Sequence, residues 1–116
     1  MKVLLDENID HRVRRHLGSH EVITASFRGW DGLKNGNLLE VAERDGFEVL
    51  ITGDQTLFHE QNLTRRSLAI VALSSIEWRI IKDYLPEILR AVNVATPGSF
   101  RAVNCGTFRR KKTRRE

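Results

Sequence analysis

Short apolar runs alternate along the chain with segments whose apolar residues recur every three or four positions. Continuous runs of Val, Ile and Leu are typical of strands that are buried on both faces of a sheet. Apolar residues at three- and four-residue spacing indicate amphipathic helices. The predicted strands are residues 2–5, 20–26, 47–54 and 67–74, with a short edge strand within 98–104, and the predicted helices are residues 9–17, 37–45 and 76–92.

Glycine, proline and polar residues mark the segments between these elements. Residues 27–37 contain three glycines and are predicted to form a loop. Residues 55–66 are short and polar, with room for one helical turn at residues 57–61. Pro86 lies within the segment 76–92, where it either kinks one helix or separates two shorter ones.

The alternation of strands and helices predicts an α/β fold. Continuous apolar strands predict a mainly parallel sheet of four to five strands with helices on both faces, a three-layer α/β/α sandwich. A chain of 116 residues is long enough for one such core and too short for two. We therefore expect a single domain over residues 1–104.

The remaining residues, 105–116, form a basic tail. They contain six Arg and Lys against one Glu, a charge of +5, so the net charge of +4 leaves residues 1–104 at about −1. A block of like charge at a terminus is usually disordered. The tail either attracts nucleic acid electrostatically or is simply a solvated end.

The composition bears on the cellular compartment of the protein. A single cysteine, Cys105, excludes an internal disulfide and fits a reducing cytoplasm. The apolar runs fall well short of the ~20 residues of a membrane helix, so no membrane association is expected.

Acidic residues follow two of the predicted strands directly. Asp6 and Glu7 come after residues 2–5, and Asp54 ends the segment 47–54. Ligands of open parallel sheets bind outside the carboxyl ends of the strands. If the first and third strands are neighbours, the two acidic segments face one another. The alternative is that each Asp is a helix cap or a turn residue.

Two convergent carboxylates favour a divalent cation. Like charges a few Å apart repel unless a proton or a positive ion lies between them. Carboxylate, amide and water oxygens are the ligands of Mg²⁺ or Mn²⁺. Such an ion polarises a phosphoryl oxygen and activates water for hydrolysis of a phosphodiester. The histidines lack a metal-ligand spacing, so zinc is not expected.

Several segments together resemble the PIN-like nuclease superfamily. They are "VLLDENIDHRVRRHL" with "HEVITA", "GWDGLKNGNLLEVAERDGFEVLITGDQTL", and "EQNL" with "AIVAL". Their order and spacing match over roughly residues 1–90, closest to a small prokaryotic branch formerly of unknown function. The resemblance implies a ribonuclease that uses Mg²⁺ or Mn²⁺. For many members it also implies the toxin of a type II toxin–antitoxin pair, silenced by a small co-encoded protein.

The resemblance also implies site residues. Asp6 and Asp54 match the acids of the first strand and of the T-x-D segment, and Glu7 matches an acid that often follows the first. Many relatives place an acid where this chain has Asn35 and Asn37. The nearest remaining acids are Glu40 and Glu43, and Glu40, one helical turn from Asn37, is the expected third catalytic acid. Residues expected to contact substrate or orient ligands are Asn8, Asn35, Asn37, Thr52, Gln61 and Asn62.

Basic and aromatic residues have two interpretations. The arginines that either contact the phosphates of RNA or form solvated surface are Arg12, Arg14 and Arg15 of the first helix, and Arg65 and Arg66. Trp30 either stacks on a base or fills the rim of the core. The wide apolar face of residues 76–92 suggests a homodimer or a small protein partner.

Two other functional classes remain open. Because Asn35 and Asn37 are neutral, the protein is alternatively a catalytically weak PIN-like module that binds RNA or protein. A phosphoacceptor receiver domain also places acids after two strands, but it requires a lysine after the fifth strand, which this chain lacks.

Overall fold

Five short strands form one parallel sheet in the computed structural model, which describes residues 1–33, 35–54 and 66–106. Their order across the sheet is β2-β1-β3-β4-β5, and each neighbouring pair is parallel. The predicted α/β class and parallel sheet are therefore confirmed. The strands are β1 (Lys2–Leu5), β2 (Glu21–Thr24), β3 (Val49–Thr52), β4 (Ala69–Leu73) and β5 (Phe100–Val103).

The helical elements lie between the strands in sequence. A 3-10 helix covers His11–His16, and the α-helices are α1 (Asn35–Arg44), α2 (Trp78–Ile81) and α3 (Leu85–Asn93). A 3-10 turn, Lys82–Tyr84, joins α2 to α3. Pro86 lies in the first turn of α3, where its missing N–H costs no intrahelical hydrogen bond, so it marks a break between two helices.

The first predicted helix is 3-10 rather than α. Its cap is Asp10, whose side chain accepts from the backbone N–H of Arg12 and also binds the Arg12 guanidinium through two contacts of 2.8 and 2.9 Å. These hydrogen bonds lower the pKa of the Asp10 carboxyl to about 2. The predicted apolar stripe is still buried, because Ile9, Val13 and Leu17 all lie in the core.

Alternate residues of the central strands enter two separate apolar clusters, as the pleat of a sheet requires. Leu4, Leu50 and Ile70 belong to the cluster that includes residues of α1. Their neighbours, such as Leu5 and Ile51, belong to the cluster that includes residues of α3. Apolar contacts on both faces explain why these strands read as continuous apolar runs.

The apolar face of residues 76–92 packs against the chain's own core. Ile81, Ile88 and Val92 are fully buried, and Tyr84 and Leu89 are partly buried against the same cluster. The surplus of apolar surface that suggested a dimer is thus largely covered within one chain.

The folded region extends slightly past the expected boundary at residue 104. Cys105 is buried, and its backbone N–H donates to Ser74 Oγ at 2.7 Å. Burial raises the pKa of the Cys105 thiol. Within the described residues, the helices all fall short of the length and apolar character needed to cross a bilayer.

Candidate functional site

The carboxyl ends of β1 and β3 meet at one edge of the sheet because the two strands are neighbours. Leu5 is in register with Ile51, and the backbone N–H of Asp6 donates to the Ile51 carbonyl oxygen at 2.9 Å. Thr52 ends β3, and Asp54 follows two positions later. The expected pairing of the first and third strands is confirmed, and it brings both acidic segments to the same edge.

The Thr52 hydroxyl connects the two acidic segments. Its Oγ1 donates to Asp6 Oδ2 at 2.7 Å and accepts from the backbone N–H of Asp54 at 3.0 Å. Thr52 is fully buried, and no other polar side chain in the described part of the chain is. A buried hydroxyl that both donates and accepts has a fixed orientation, so Thr52 fixes the position of Asp6 relative to the turn at Asp54.

The Asp6 carboxylate is held by donors on both of its oxygens. Oδ1 accepts from the backbone N–H of Glu7 at 2.8 Å, while Oδ2 accepts from Thr52. A carboxylate oxygen has two lone pairs, so each oxygen retains one for another partner. Asp6 is also partly exposed. The group is therefore fixed in direction and still able to bind a cation or a further donor.

Glu7 and Asn8 lie at the same edge but contact different elements. Glu7 Oε1 accepts from the backbone N–H of Gly32 at 2.6 Å, which ties the end of β1 to the loop between β2 and α1. The Asn8 amide lies beside Gly53, with its oxygen and nitrogen both 3.9 Å from the position that a Cβ would occupy there. Asn8 is thus next to the turn that carries Asp54.

The turn at Gly53 requires glycine because another loop approaches it closely. A Cβ at this position would overlap Ile76 Cγ2, from the segment between β4 and α2. Ile76 therefore packs directly over the turn between Thr52 and Asp54. A side chain at residue 53 would displace that segment.

A cleft of about 520 Å³ opens beside Asp6. Its walls come from the ends of β1 and β2, from the 3-10 helix and from Ile76. One lining residue, Phe27, is 81% exposed, although it is large and apolar. The lining residues are Asp6, Glu7, Asn8, Ile9, Asp10, His11, Arg14, Thr24, Ser26, Phe27 and Ile76.

The cleft includes one aromatic residue, Phe27, that the sequence did not single out as a site residue. Phe27 lies in a glycine-rich loop and belongs to no apolar repeat, and this isolated position was the available signal for it. Of the arginines expected near phosphate, Arg14 lines the cleft, whereas Arg12 binds Asp10 and lies over the Trp78 ring with its guanidinium carbon 4.8 Å from the centroid. Trp30 is partly buried and packs on Phe47 with ring centroids 5.9 Å apart, which places it at the rim of the core.

The expected third acid lies on α1. Asn35 begins this helix, Asn37 is exposed in its first turn, and Glu40 follows one turn later. The Glu40 carboxylate pairs with Arg44 at 3.3 Å, and both side chains are exposed. Glu40 therefore contacts its own helix, and its predicted catalytic role stays a prediction.

Glu43, near the end of α1, contacts the segment that leads into β4. This contact is at the edge of the sheet where the strands begin, the amino edge, opposite the carboxyl edge that carries Asp6. Its carboxylate accepts from Arg66 Nη1 at 2.6 Å, from the backbone N–H of Ser67 at 2.6 Å and from that of Leu68 at 3.3 Å. Partial burial acts to raise the pKa of Glu43, but these hydrogen bonds outweigh it and leave the pKa below its usual range. Arg66, which was expected near RNA phosphates, thus forms an ion pair with Glu43 at the amino edge. The predicted residues Gln61, Asn62 and Arg65 lie outside the described residues.

The donor chemistry at the carboxyl edge fits a hard cation with water as co-ligand. Asp6 and Asp54 bring two acidic residues to this edge, Thr52 holds their segments together, and the Asn8 amide lies beside the turn at Gly53. Mg²⁺ keeps several waters and is often bound through one or two carboxylates. A denser cluster, of three or more His, Cys, Asp or Glu side chains placed to hold a metal, does not occur among the described residues.

Comparisons with known proteins give no match. No protein-family model, curated protein or solved structure matches the chain. The resemblance to the PIN-like superfamily rests on the sequence motifs and stays a prediction.

Proposed function

We propose that the protein is an endoribonuclease that hydrolyses RNA phosphodiesters with Mg²⁺ or Mn²⁺ held between Asp6 and Asp54. The observation that carries this proposal is the Thr52 hydroxyl, which bonds to Asp6 Oδ2 at 2.7 Å and to the backbone N–H of Asp54 at 3.0 Å. Two acidic segments from neighbouring strands are joined at one edge, beside an open cleft. A cation between them would relieve the repulsion of the two charges.

The proposed ligands of the ion are Asp6 and Asp54, with Glu7 beside them. When bound, the ion acts as a Lewis acid on a phosphoryl oxygen and lowers the pKa of a bound water. The chain's own contribution is orientation. Thr52 and the Glu7 N–H fix the Asp6 carboxylate before substrate arrives, so little reorganisation is needed at the moment of reaction.

Neutral groups around the acids suit a phosphodiester. The Asn8 amide and the hydroxyls of Thr24 and Ser26 line the cleft beside Asp6 and are able to donate to phosphate oxygens. Ile76 also lines the cleft and covers the turn at Gly53. Together these groups orient a strand and limit the access of water from one side.

The test is cleavage of a labelled RNA with Mn²⁺, Mg²⁺ or EDTA. We compare the wild type with Asp6→Asn and Asp54→Asn, and with Glu21→Gln as a matched carboxylate-to-amide control. Glu21 is exposed at the start of β2, on the opposite edge of the sheet. Metal-dependent cleavage that Glu21→Gln retains and both Asp variants lose supports the proposal. Equal cleavage by all four proteins would point to a contaminant and overturn it.

The second candidate is a PIN-like module that binds RNA or a protein without cutting. The neutral Asn35 and Asn37 favour it, as does the pairing of Glu40 with Arg44. A thermal melt separates the two, because a ligand that binds the native state raises its stability by mass action. A metal enzyme gains stability with Mn²⁺, and Asp54→Asn loses that gain. A binding module shows no gain in either protein.

A receiver domain remains the third class. The order β2-β1-β3-β4-β5 is one that receivers and flavodoxins share, with the ligand at the β1/β3 junction. However, β5 is followed by Asn104 and Cys105, where a receiver requires a lysine. Incubation with acetyl phosphate and Mg²⁺ decides this point, since a receiver would gain a phosphoryl group on Asp54.

The proposal extends to a biological role as a toxin silenced by a small co-encoded protein, as the resemblance implies, with cytoplasmic RNA as its target. Growth arrest on induced expression, lost in Asp6→Asn, would support this role. Unimpaired growth with active, soluble protein would contradict it. Size-exclusion chromatography with light scattering tests the expected homodimer in the same preparations.

A further inference from the structure

Phe27 is an exposed aromatic residue on a well-anchored loop. The residue is 81% exposed, while its backbone N–H donates to Thr24 Oγ1 at 3.1 Å. The adjacent Ala25 is buried, and its N–H donates to the Leu5 carbonyl oxygen at 2.8 Å. The loop is thus attached to the central strand β1. The hydrogen bonds at Ala25 and Phe27 therefore fix the loop in the conformation that leaves Phe27 exposed.

The neighbours of Phe27 in this loop turn inward. Trp30 packs on Phe47, and Arg28 pairs with Asp45 and lies over the Phe47 ring with its guanidinium carbon 5.2 Å from the centroid. The side chains of Trp30 and Arg28 thus both contact the Phe47 ring. Phe27 instead lines the cleft that holds Asp6. A large aromatic ring exposed beside this cleft is available to stack on a ligand that enters it.

The same cleft contains a cation that makes no ion pair with any residue the structure describes. Arg14 and His11 line it together with Phe27. Within the part of the chain that the structure describes, Arg14 makes no ion pair, whereas Arg12, two residues before it, binds Asp10. A free guanidinium and an imidazole are phosphate donors.

We propose that Phe27, His11 and Arg14 form a nucleotide subsite, in which an unpaired base stacks on the Phe27 ring and the adjoining phosphate meets Arg14 and His11. This inference deepens the proposed function, on which it rests for the choice of RNA, by naming single-stranded RNA as the ligand. It also gives Phe27 a part in base preference at that position.

The chemistry of the cleft fits a nucleotide better than an apolar peptide. An apolar partner would require a continuous apolar surface, but apart from Ile9 and Ile76 the residues that line the cleft with Phe27 are polar or charged. One flat π-face next to phosphate donors matches the alternation of base and phosphate along a strand. Base stacking on aromatic rings tolerates any base and requires that the base be unpaired.

The test is binding of a short fluorescein-labelled oligouridylate by anisotropy, in EDTA so that cleavage does not interfere. Phe27→Ala is expected to weaken binding roughly tenfold, from the range measured for base stacking on aromatic residues. Phe27→Trp should retain binding, and Phe27→Leu should behave like Phe27→Ala. Annealing the complementary strand should weaken binding to the wild type. Val94→Ala, at an exposed apolar position outside the cleft, is the control and should bind as the wild type does.

Salt dependence tests the phosphate contact separately. Arg14→Ala should lower the slope of log affinity against log salt by about 0.7, the contribution of one contact to single-stranded nucleic acid. Arg15→Ala removes the same charge from the next residue, which is exposed and does not line the cleft, and should leave the slope unchanged. Equal slopes for Arg14→Ala and the wild type would overturn the phosphate contact.

The outcomes separate this inference from the nuclease proposal. If Phe27→Ala binds as tightly as the wild type, the subsite is wrong even when the protein cleaves RNA. If Phe27→Leu binds like the wild type, the ring serves as generic apolar surface, which favours a protein partner and overturns the subsite. If no cleavage is found but Phe27→Ala loses binding, the subsite stands and the nuclease proposal fails alone.

Discussion

The two edges of the sheet use the same residue types in opposite ways. At the amino edge, Glu43 accepts hydrogen bonds from Arg66, Ser67 and Leu68. At the carboxyl edge, Asp6 is held by Thr52 and the Glu7 N–H and borders an open cleft. The first carboxylate is surrounded by donors of its own chain, whereas the second keeps acceptor capacity beside open space. An acid contributes to stability or to a site according to how many of its partners the fold supplies.

The largest expected effect is on cleavage at the carboxyl edge. Asp6→Asn removes one proposed ligand charge, and we expect the cleavage rate to fall about 10³-fold, since a metal supplies several kcal/mol of transition-state stabilisation. The free energy of unfolding in urea should also fall, by about 2 kcal/mol, because the amide gives up a charge-assisted hydrogen bond from Thr52, so the cleavage rate is expressed per folded molecule. If activity falls only in proportion to the amount of folded protein, Asp6 acts on stability as Glu43 does, and the proposed difference between the two edges is wrong.

Thr52→Val is expected to have the next largest effect. Valine matches the shape of threonine but leaves Asp6 Oδ2 without its donor and the Asp54 N–H without its acceptor. Loss of a group that orients a ligand typically costs 10–100-fold in metal affinity, so Mn²⁺ titration should show a loss of about that size. Thr52→Ser, which keeps the hydroxyl, is the matched control and should restore most of the affinity.

Glu43→Gln should act on stability and leave catalysis intact. Hydrogen bonds to a charged group contribute about 2 kcal/mol, and we expect the free energy of unfolding to fall by that amount at neutral pH. Cleavage per folded molecule should match the wild type. Reduced activity per folded molecule would show that the two edges are coupled.

The pH dependence sharpens the same comparison. Because the folded state lowers the pKa of Glu43 from its ordinary value of 4.5, the group stabilises the native state above pH 4.5. That stabilisation is lost as the pH falls below 4.5 through the lower folded pKa. The unfolding free energies of the wild type and Glu43→Gln should therefore converge as the pH is lowered below 4.5 in urea titrations. A constant difference across this range would assign the effect of the substitution to packing.

The smallest expected effect is that of Glu40→Gln on stability. Its carboxylate meets Arg44 on an exposed helix face, and such i,i+4 pairs contribute less than about 0.5 kcal/mol. Cleavage measured on the same preparation then decides its role. A clear loss of activity with unchanged stability would confirm Glu40 as the third acid, and unchanged activity would remove it from the site.

The parts of the fold that sequence predicted well are those that burial alone determines. The strand cores were located because both faces are covered, and the stripe of Ile9, Val13 and Leu17 is buried as expected. Residues 11–16 form a 3-10 helix nonetheless, because the spacing of apolar residues reports the buried face and not the hydrogen-bond pattern. The strand ends were predicted too long at residues 20–26 and 47–54, where polar flanks left no sharp boundary.

The site was predictable to the extent that it follows from strand order. Acids after the first and third strands share an edge once those strands are neighbours, so Asp6 and Asp54 required only that assumption. The positions of the Arg66 and Phe27 side chains could not be predicted from strand order. Both depend on how a loop turns: Arg66 turns to Glu43, and Phe27 turns out into the cleft. Neither direction follows from a residue's own type.

Because all five strands run the same way, the chain leaves β5 at the edge where Asp6 and Asp54 lie. This exit is two strands from β3, or about 10 Å at ordinary strand spacing. Gly106 is the last described residue after this exit, and six Arg and Lys follow it in the sequence. Deleting residues 107–116 removes a net charge of +5, so it should slow the capture of dilute polyanionic strands before it alters the cleavage of strands already bound.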